Sequence, residues 1–334
     1  MSRFDIIKIL SHTGDSFRHL SVLNPLTIHK KGTKSKAVFA LIMVCFFWGT
    51  TWLASGIGVK SMPALQLAGI RQLLAGIIYV TYFLIKGASL PKGKEWWTVI
   101  ILSILNFALS NGLSTWGIKY ISAGLGAIIA STFPIWLVVI GLFSGSKIPV
   151  KAIMGLVVGF GGVCIIFYEH FHDFFNPGFR FGIILSIIGT WSWAFGTLYT
   201  KKQASTFNPY FSLGLQMLIT GAGLLTLTKF NGTAIPLTAI PWQSWASISY
   251  LVLFGSVFAF ICYMYALQHL PTGQISIYAY INPIVAVLLG WLLLNEKMSV
   301  FIGVGSLVAL LGVYLVNKAF KAVPAREQPE LEGM

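Results

Sequence analysis

Long apolar runs alternate with short polar breaks from residue 37 to residue 318. Most runs approach the roughly 20 residues that an α-helix needs to cross the hydrocarbon core of a bilayer. They are also about twice as long as a barrel strand, and a helix satisfies its own backbone groups in lipid. The pattern therefore predicts an all-α integral membrane protein with ten transmembrane helices. Their predicted ranges are 37–59, 64–85, 97–118, 122–143, 152–168, 181–200, 209–228, 245–266, 273–294 and 300–317.

The composition argues against a soluble protein. Of the 334 residues, 56% are hydrophobic and 10% are charged, against about 25% charged in ordinary soluble domains. The net charge of +14 does not predict nucleic-acid binding, because Lys and Arg lie between the apolar runs and form no single basic face. Cys45, Cys164 and Cys262 lie singly in different runs, so we expect no metal site and no cofactor.

Basic residues set the predicted orientation. With the N-terminus inside, 17 of the 23 Lys and Arg residues fall in cytoplasmic segments and five fall in external segments. The positive-inside rule then predicts that both termini are cytoplasmic. Residues 1–36 are predicted to form a cytoplasmic N-terminal tail, and residues 319–334 a polar C-terminal tail.

The two halves of the chain match each other at an offset of 149 residues, without a gap, across two spans. Each half holds five spans, which is an odd number, so the second copy must enter the membrane from the opposite side. This predicts two inverted five-helix repeats, residues 37–168 and 181–318. The matches include Trp96 with Trp245, Gly124 with Gly273, Pro134 with Pro283, and Gly141 with Gly290.

Pro134 and Pro283 occupy equivalent places in the fourth and ninth spans. Each removes a helical hydrogen bond and can kink its helix. Inverted repeats allow alternating access, because two similar halves can exchange their conformations. We therefore predict that the two prolines act as hinges or pore-lining kinks, with static packing kinks as the alternative.

Arg71 is the one ionisable side chain clearly inside a predicted span. Such groups are costly in lipid and are candidates for function. Its guanidinium could bind a substrate carboxylate in bidentate geometry. The alternative is structural, because a position about 10 Å below the outer edge is within reach of snorkelling or of backbone carbonyls.

Six further side chains complete the predicted substrate site. An amide in lipid is costly unless it faces a partner or a wet cavity, and Trp or Tyr can line a pocket for a planar or apolar solute. The alternative is helix packing for the amides, and packing or lipid contact for the aromatic residues. The candidates are Asn106, Asn111 and Asn282, together with Trp48, Trp193 and Tyr278.

All nine Asp and Glu residues fall in tails, loops or span ends, and no His lies within a predicted span. Proton-driven transporters commonly relay protons through such buried groups. We therefore favour facilitated or exchange transport, or coupling through an edge group such as Glu296. A membrane-embedded enzyme is disfavoured, because acid–base, nucleophilic or metal chemistry needs a buried cluster that the sequence lacks.

Several short motifs lie between Ala37 and Lys318. They are Trp48-Gly49-Thr50, GIRQLLAG at 69–76, an Ala-rich fourth span reaching Pro134, Tyr280-Ile281-Asn282-Pro283 and Asn295-Glu296-Lys297. Together they resemble the EamA family of the drug/metabolite transporter superfamily. One departure is Gly145-Ser146-Lys147, where the family has Gly-Glu after the fourth helix of a unit.

The resemblance implies a secondary transporter of small metabolites, often an exporter, in a plasma (inner) membrane. With the neutral polar residues above, it predicts a small neutral or zwitterionic substrate. Amino acids are the first candidates, and sugars stay open as an alternative. A membrane receptor or scaffold without transport is the alternative from a different class.

Overall fold

The computed structural model describes residues 34–143, 149–169, 172–203, 208–270, 278–296 and 299–321. Within these ranges most residues are helical and none is in a strand. The predicted all-α class is therefore confirmed. Most of the two predicted polar tails lies outside the described residues.

Helical segments that continue into one another are named here as one helix. The first half contains α1 (Lys34–Gly58), α2 (Ala64–Ile85), α3 (Glu95–Gly117), α4 (Ala123–Ser131 and Phe133–Phe143) and α5 (Val150–Glu169). The second half contains α6 (Pro177–Gln203), α7 (Pro209–Phe230), α8 (Trp242–His269), α9 (Tyr278–Leu294) and α10 (Val300–Lys321). Single 3₁₀ turns lie in two loops, Asp173–Phe175 and Leu237–Ala239.

Each predicted apolar run coincides with one of these helices to within a few residues, although 273–277 lies outside the described chain. Six of the described helices, α1–α3 and α6–α8, are long and apolar enough to cross a membrane. The helices α4, α5, α9 and α10 carry shorter apolar stretches. The run 122–143 is not one continuous helix, because α4 is interrupted at Thr132.

Large apolar side chains are exposed over the outer surface of the helices. Phe39 is 61% exposed, Phe143 is 89% exposed and Leu307 is 68% exposed. Extensive apolar exposure of this kind would favour aggregation in water. It suits acyl chains instead, so the surface is that of an integral membrane protein.

Two helix pairs pack most extensively, α5 along α10 and α2 along α7. Glycines let the backbones meet in both pairs. A Cβ on Gly312 would collide with the backbone of Gly159, and a Cβ on Gly76 would collide with the backbone of Leu218. Such small-residue contacts are typical of membrane helices, because van der Waals packing holds them together where lipid removes the hydrophobic effect.

The other six helices surround the centre of the molecule. Helix α1 packs against α8 and α9, α6 packs against α3 and α4, and α4 contacts α9. Each helix of the first half has a counterpart five helices later in the second half, so that α1 corresponds to α6, α3 to α8 and α4 to α9. Replacing every helix by its counterpart reproduces these contacts, since α1–α8 becomes α6–α3 and α1–α9 becomes α6–α4. The contacts have the exchange symmetry that two copies of one five-helix unit would produce.

Helices α3 and α8 each contain a π-helical segment, Ser103–Gly112 and Leu251–Phe258, which the sequence did not predict. A π segment changes the backbone hydrogen-bond pattern, and such segments are frequent at functional sites. Side chains of neighbouring helices donate to carbonyl oxygens in both segments. These bonds join Ser192 to Leu105 (2.8 Å), Thr220 to Ser103 (2.9 Å), Trp48 to Gly255 (3.2 Å) and Tyr79 to Val257 (3.0 Å).

Candidate functional site

A cavity of about 170 Å³ lies between α1, α3, α4, α6, α8 and α9, and α2 reaches it with one side chain. The structure brings all seven of the predicted substrate-site residues onto its wall. They come from five helices in both halves of the chain, so only the folded arrangement unites them. The seven are Trp48, Arg71, Asn106, Asn111, Trp193, Tyr278 and Asn282.

Hydroxyl groups supply much of the remaining polar wall. The hydroxyls on α1 are not among the predicted site residues, although their spacing in the sequence could have indicated them. Trp48, Thr51, Trp52 and Ser55 follow the spacing i, i+3, i+4 and i+7, which places them on one face of a helix. On α3, Ser110 and Ser114 continue the face of Asn106 at four-residue spacing. The other hydroxyl-bearing wall residues are Thr115, Ser131 and Thr190.

Aromatic rings close one part of the cavity around Trp48. Its ring meets those of Phe260 and Tyr278 edge to face, with centroids 5.1 and 5.2 Å apart. Trp193 lies 6.4 Å away in the same geometry, and its indole N–H donates to the hydroxyl of Tyr278 at 3.4 Å. These rings offer an apolar wall suited to an aliphatic or aromatic part of a solute.

Arg71 is 5% exposed and points into the protein, so its guanidinium does not snorkel to the surface. Its Nε donates to the hydroxyl oxygen of Ser256 at 2.9 Å. Its Nη2 packs against Gly255, where an added Cβ would lie 3.1 Å from that nitrogen. Both partners lie in the π segment of α8, so this segment fixes the position of the guanidinium on the cavity wall.

The three predicted amides have different surroundings. The side-chain oxygen of Asn111 accepts from Nε2 of Gln72 at 2.9 Å. Asn282, in the amide orientation that its neighbours require, donates to the carbonyl oxygens of Tyr278 (3.1 Å) and Cys45 (2.8 Å). Asn282 therefore ties α9 to α1, which is the packing role that the sequence left open for it.

Asn106 is 8% exposed, and its amide nitrogen makes long hydrogen bonds to Thr200 (3.5 Å) and Gln216 (3.4 Å). Its Oδ1 has no partner in the described part of the protein. An orphaned acceptor inside a membrane protein is costly. This oxygen faces Gly196, whose lack of a side chain leaves it room.

The two predicted hinge prolines differ in their surroundings. Pro283 lies inside the uninterrupted helix α9 and lines the cavity. Pro134 is the second residue of the segment that resumes after Thr132, whose carbonyl oxygen accepts the backbone N–H of Ile135 at 2.8 Å. Helix α4 therefore has a true break beside its proline, whereas α9 accommodates its proline within the helix.

Glu296 lies just beyond α9 and caps the N-terminus of α4. Its Oε1 accepts the backbone N–H of Ala123 at 2.8 Å, and its Oε2 accepts that of Gly124 at 3.1 Å. A carboxylate here satisfies orphan donors and complements the helix dipole. Glu296 is not on the wall of the central cavity. Its observed role is to join the ends of α4 and α9.

Comparisons with known proteins bear on the family and the fold. The family model described as "EamA-like transporter family" matches residues 35–168 and 180–318. A crystal structure of a protein matches with a TM-score of 0.63 at 14% identity, over 87% of this chain and 100% of that chain. At this identity the structural match supports the fold alone.

Relatives occur in bacteria and in a plant. The chain is 32% identical over 292 residues to "Uncharacterized inner membrane transporter YedA" of Escherichia coli (strain K12), covering 87% of this chain and 92% of that protein. It is 26% identical over 287 residues to "Uncharacterized transporter YoaV" of Bacillus subtilis (strain 168), covering 85% and 98%. A chloroplastic WAT1-related protein of Arabidopsis thaliana is 26% identical over 287 residues, covering 83% and 68%.

Proposed function

The chain belongs to the EamA-like transporter family, and on this premise we propose that it is a secondary transporter of small neutral or zwitterionic metabolites. The solute passes through the central cavity by alternating access. Amino acids are the first candidates, and export is the proposed direction. The observation that carries this proposal is one cavity whose wall combines amides, hydroxyls and aromatic rings from both halves of the chain.

Two inverted five-helix repeats, residues 37–168 and 181–318, are the proposed basis of alternating access. Three observations support them. The helix contacts have exchange symmetry, the two π segments lie at corresponding places in α3 and α8, and the family model matches twice along the chain. Two similar halves can exchange conformations and so expose one site to either side in turn.

The proposed setting is the plasma (inner) membrane, crossed ten times with both termini in the cytoplasm. The printed name of the Escherichia coli relative refers to an inner membrane, and the distribution of basic residues favours this orientation. On α1 the wall residues run from Trp48 to Ser55, and on α3 from Asn106 to Ile118. Both stretches lead from mid-helix toward the C-terminal end, so in this orientation the cavity extends toward the outer face.

Pro134 and Pro283 are the proposed hinges. The break at Thr132 leaves α4 free to bend beside Pro134, and Pro283 adjoins both the cavity and Asn282. Movement at these two points would change the distance between the α4 and α9 segments that line the cavity. The partners of the protein are then the solute and the bilayer.

Counterflow in proteoliposomes tests the proposal. Vesicles are loaded with unlabelled amino acids or sugars, and entry of the labelled solute is followed for wild type, Ala130→Trp and Leu307→Trp. Ala130 lines the cavity, so an indole there should reduce exchange at least about tenfold. Leu307 is exposed to lipid, and its substitution should leave exchange unchanged. Equal exchange by two folded variants would contradict transport through this cavity.

A further inference from the structure

We propose that Arg71 is an anion-binding subsite of the cavity, and that the solutes recognised are organic carboxylates whose carboxylate docks on its guanidinium. This inference rests on the proposed transport function and deepens it by naming the substrate class. Neutral sugars are excluded by it. Zwitterionic amino acids are retained because they carry the required group.

The first observation is a buried cation without a counter-ion. Arg71 is 5% exposed, and its one hydrogen bond in the described structure runs from Nε to the neutral hydroxyl of Ser256. No carboxylate of a described residue pairs with it, so Nη1 and Nη2 keep their donors. A buried charge without a partner is costly. An anion bound in the cavity would provide the missing partner.

The second observation is that the guanidinium is fixed in place. Ser256 holds Nε, and the absence of a side chain at Gly255 gives Nη2 its space. The methyl carbon of Thr51 would lie 2.6 Å from a Cβ at Gly255, so this space is confined from both sides. A fixed, planar fork of donors is the geometry that binds a carboxylate through two parallel hydrogen bonds.

A second donor lies on the same wall. Gln72, which is buried, occupies the side-chain oxygen of Asn111 with its own amide nitrogen. The amide nitrogen of Asn111 is then available to the cavity, because it has no partner among the described residues. Arg71 and Asn111 therefore both present donors, which a carboxylate can accept and an ammonium group cannot.

The other residues of the cavity wall determine which further groups of the solute are recognised. No Asp or Glu of the described chain lines the cavity, so an ammonium group would find only hydroxyls, amides and aromatic faces such as Trp48 and Trp193. Such faces attract cations weakly compared with an ion pair. The carboxylate is the required group and the ammonium is optional. A 2-oxo acid should therefore bind as well as the amino acid with the same side chain.

Equilibrium binding to the purified full-length protein in detergent tests this. The probes are phenylalanine, phenylpyruvate, which lacks the ammonium, and phenylalaninamide, which lacks the carboxylate. Wild type should bind both acids at least about tenfold more tightly than the amide, because a charge-assisted pair is lost with the carboxylate. In Arg71→Gln this preference should fall to about twofold or less. Arg180→Gln changes an exposed arginine at the start of α6 and should keep the full preference.

A third variant and a change of the salt anion provide two further tests of the anion-binding subsite. Arg71→Lys retains the charge but loses the planar fork, so it should still prefer acids while binding them more weakly. The Arg71→Lys variant therefore tests the inference even if Arg71→Gln fails to fold. Replacing chloride by a bulky anion should strengthen acid binding if chloride shares the subsite, and should not remove the preference for acids over the amide.

The inference is overturned if wild type binds the amide as tightly as the acids, binds none of the three, or if Arg71→Gln keeps the preference. The failure of the proposed function looks different. Acid-selective binding without any counterflow would contradict transport and leave the anion subsite standing. Counterflow that does not distinguish acid from amide would support transport and remove the subsite.

Discussion

The α5–α10 pair and the wall of the central cavity both depend on glycine, but for opposite reasons. In the pair, Gly159 and Gly162 on α5 meet Gly312 and Ala309 on α10, so that backbone touches backbone. Beside the cavity, Gly255 and Gly196 border the polar side chains of two wall residues, Arg71 and Asn106. Glycine therefore allows close packing in one region and gives polar groups room in the other.

The difference separates stability from recognition. The α5–α10 contact lies apart from the cavity, and none of its residues is on the cavity wall. The cavity wall instead accepts an unpaired cation and an unpaired amide oxygen, both of which cost stability. Substitutions should therefore affect folding in the first region and ligand binding in the second.

The largest expected effect is on the helix pair. Gly312→Ala places a Cβ against the backbone of Gly159, which cannot turn aside as a flexible side chain would. Overpacking of this kind costs about 3 kcal/mol, so thermal unfolding in detergent should occur several degrees lower. Gly303→Ala on the same helix meets no atom within 4 Å and should unfold like wild type. Identical unfolding temperatures of the two variants would contradict the claim that α5 and α10 depend on close backbone packing at Gly312.

The second effect concerns the position of Arg71 on the cavity wall. Gly255→Ala crowds Thr51 and the Nη2 atom of Arg71, so the guanidinium must move. We expect phenylalanine binding to weaken about tenfold, which corresponds to about 1.4 kcal/mol, with a smaller loss of stability than in Gly312→Ala. Binding is measured at equilibrium, beside Gly223→Ala, whose Cβ would meet open space. Unchanged affinity in Gly255→Ala would show that the position of Arg71 does not matter.

The smallest effect concerns the contact between the ends of α4 and α9. Glu296→Gln keeps one acceptor oxygen for Ala123 or Gly124 but loses the charge beside the helix N-terminus. A loss of about 0.5–1 kcal/mol in unfolding free energy is expected from capping and the helix dipole. In the matched variant Glu95→Gln, the substituted side chain is a carboxylate that accepts the backbone N–H of Lys92 in an exposed hydrogen bond. This variant should lose less unfolding free energy. A larger loss in Glu95→Gln would contradict the role assigned to Glu296.

Much of the fold is readable from the sequence because lipid imposes one local rule, a long apolar helix. The seven predicted residues all lie on the wall of one cavity, since polar and aromatic side chains inside spans are few; their role as a substrate site stays a prediction. The π segments and the break at Thr132 were missed. They depend on partners far along the chain, such as Thr220 for the carbonyl of Ser103.

The same limit applies to individual roles within the site. Ser256, which holds Arg71, is 185 positions away in sequence, and Glu296 is 173 positions from Ala123. No local spacing connects residues so far apart. The amide of Asn282 predicts either a ligand-binding group or helix packing, and in the structure it lies on the cavity wall and joins α9 to α1.

The most direct test of the account is counterflow of labelled phenylalanine in proteoliposomes, with and without an imposed pH gradient. No carboxylate of the described residues lines the cavity, so the account predicts exchange that requires the solute's carboxylate and proceeds at the same rate with or without the gradient. Exchange that depends strictly on the gradient, or no exchange by folded protein, would contradict it.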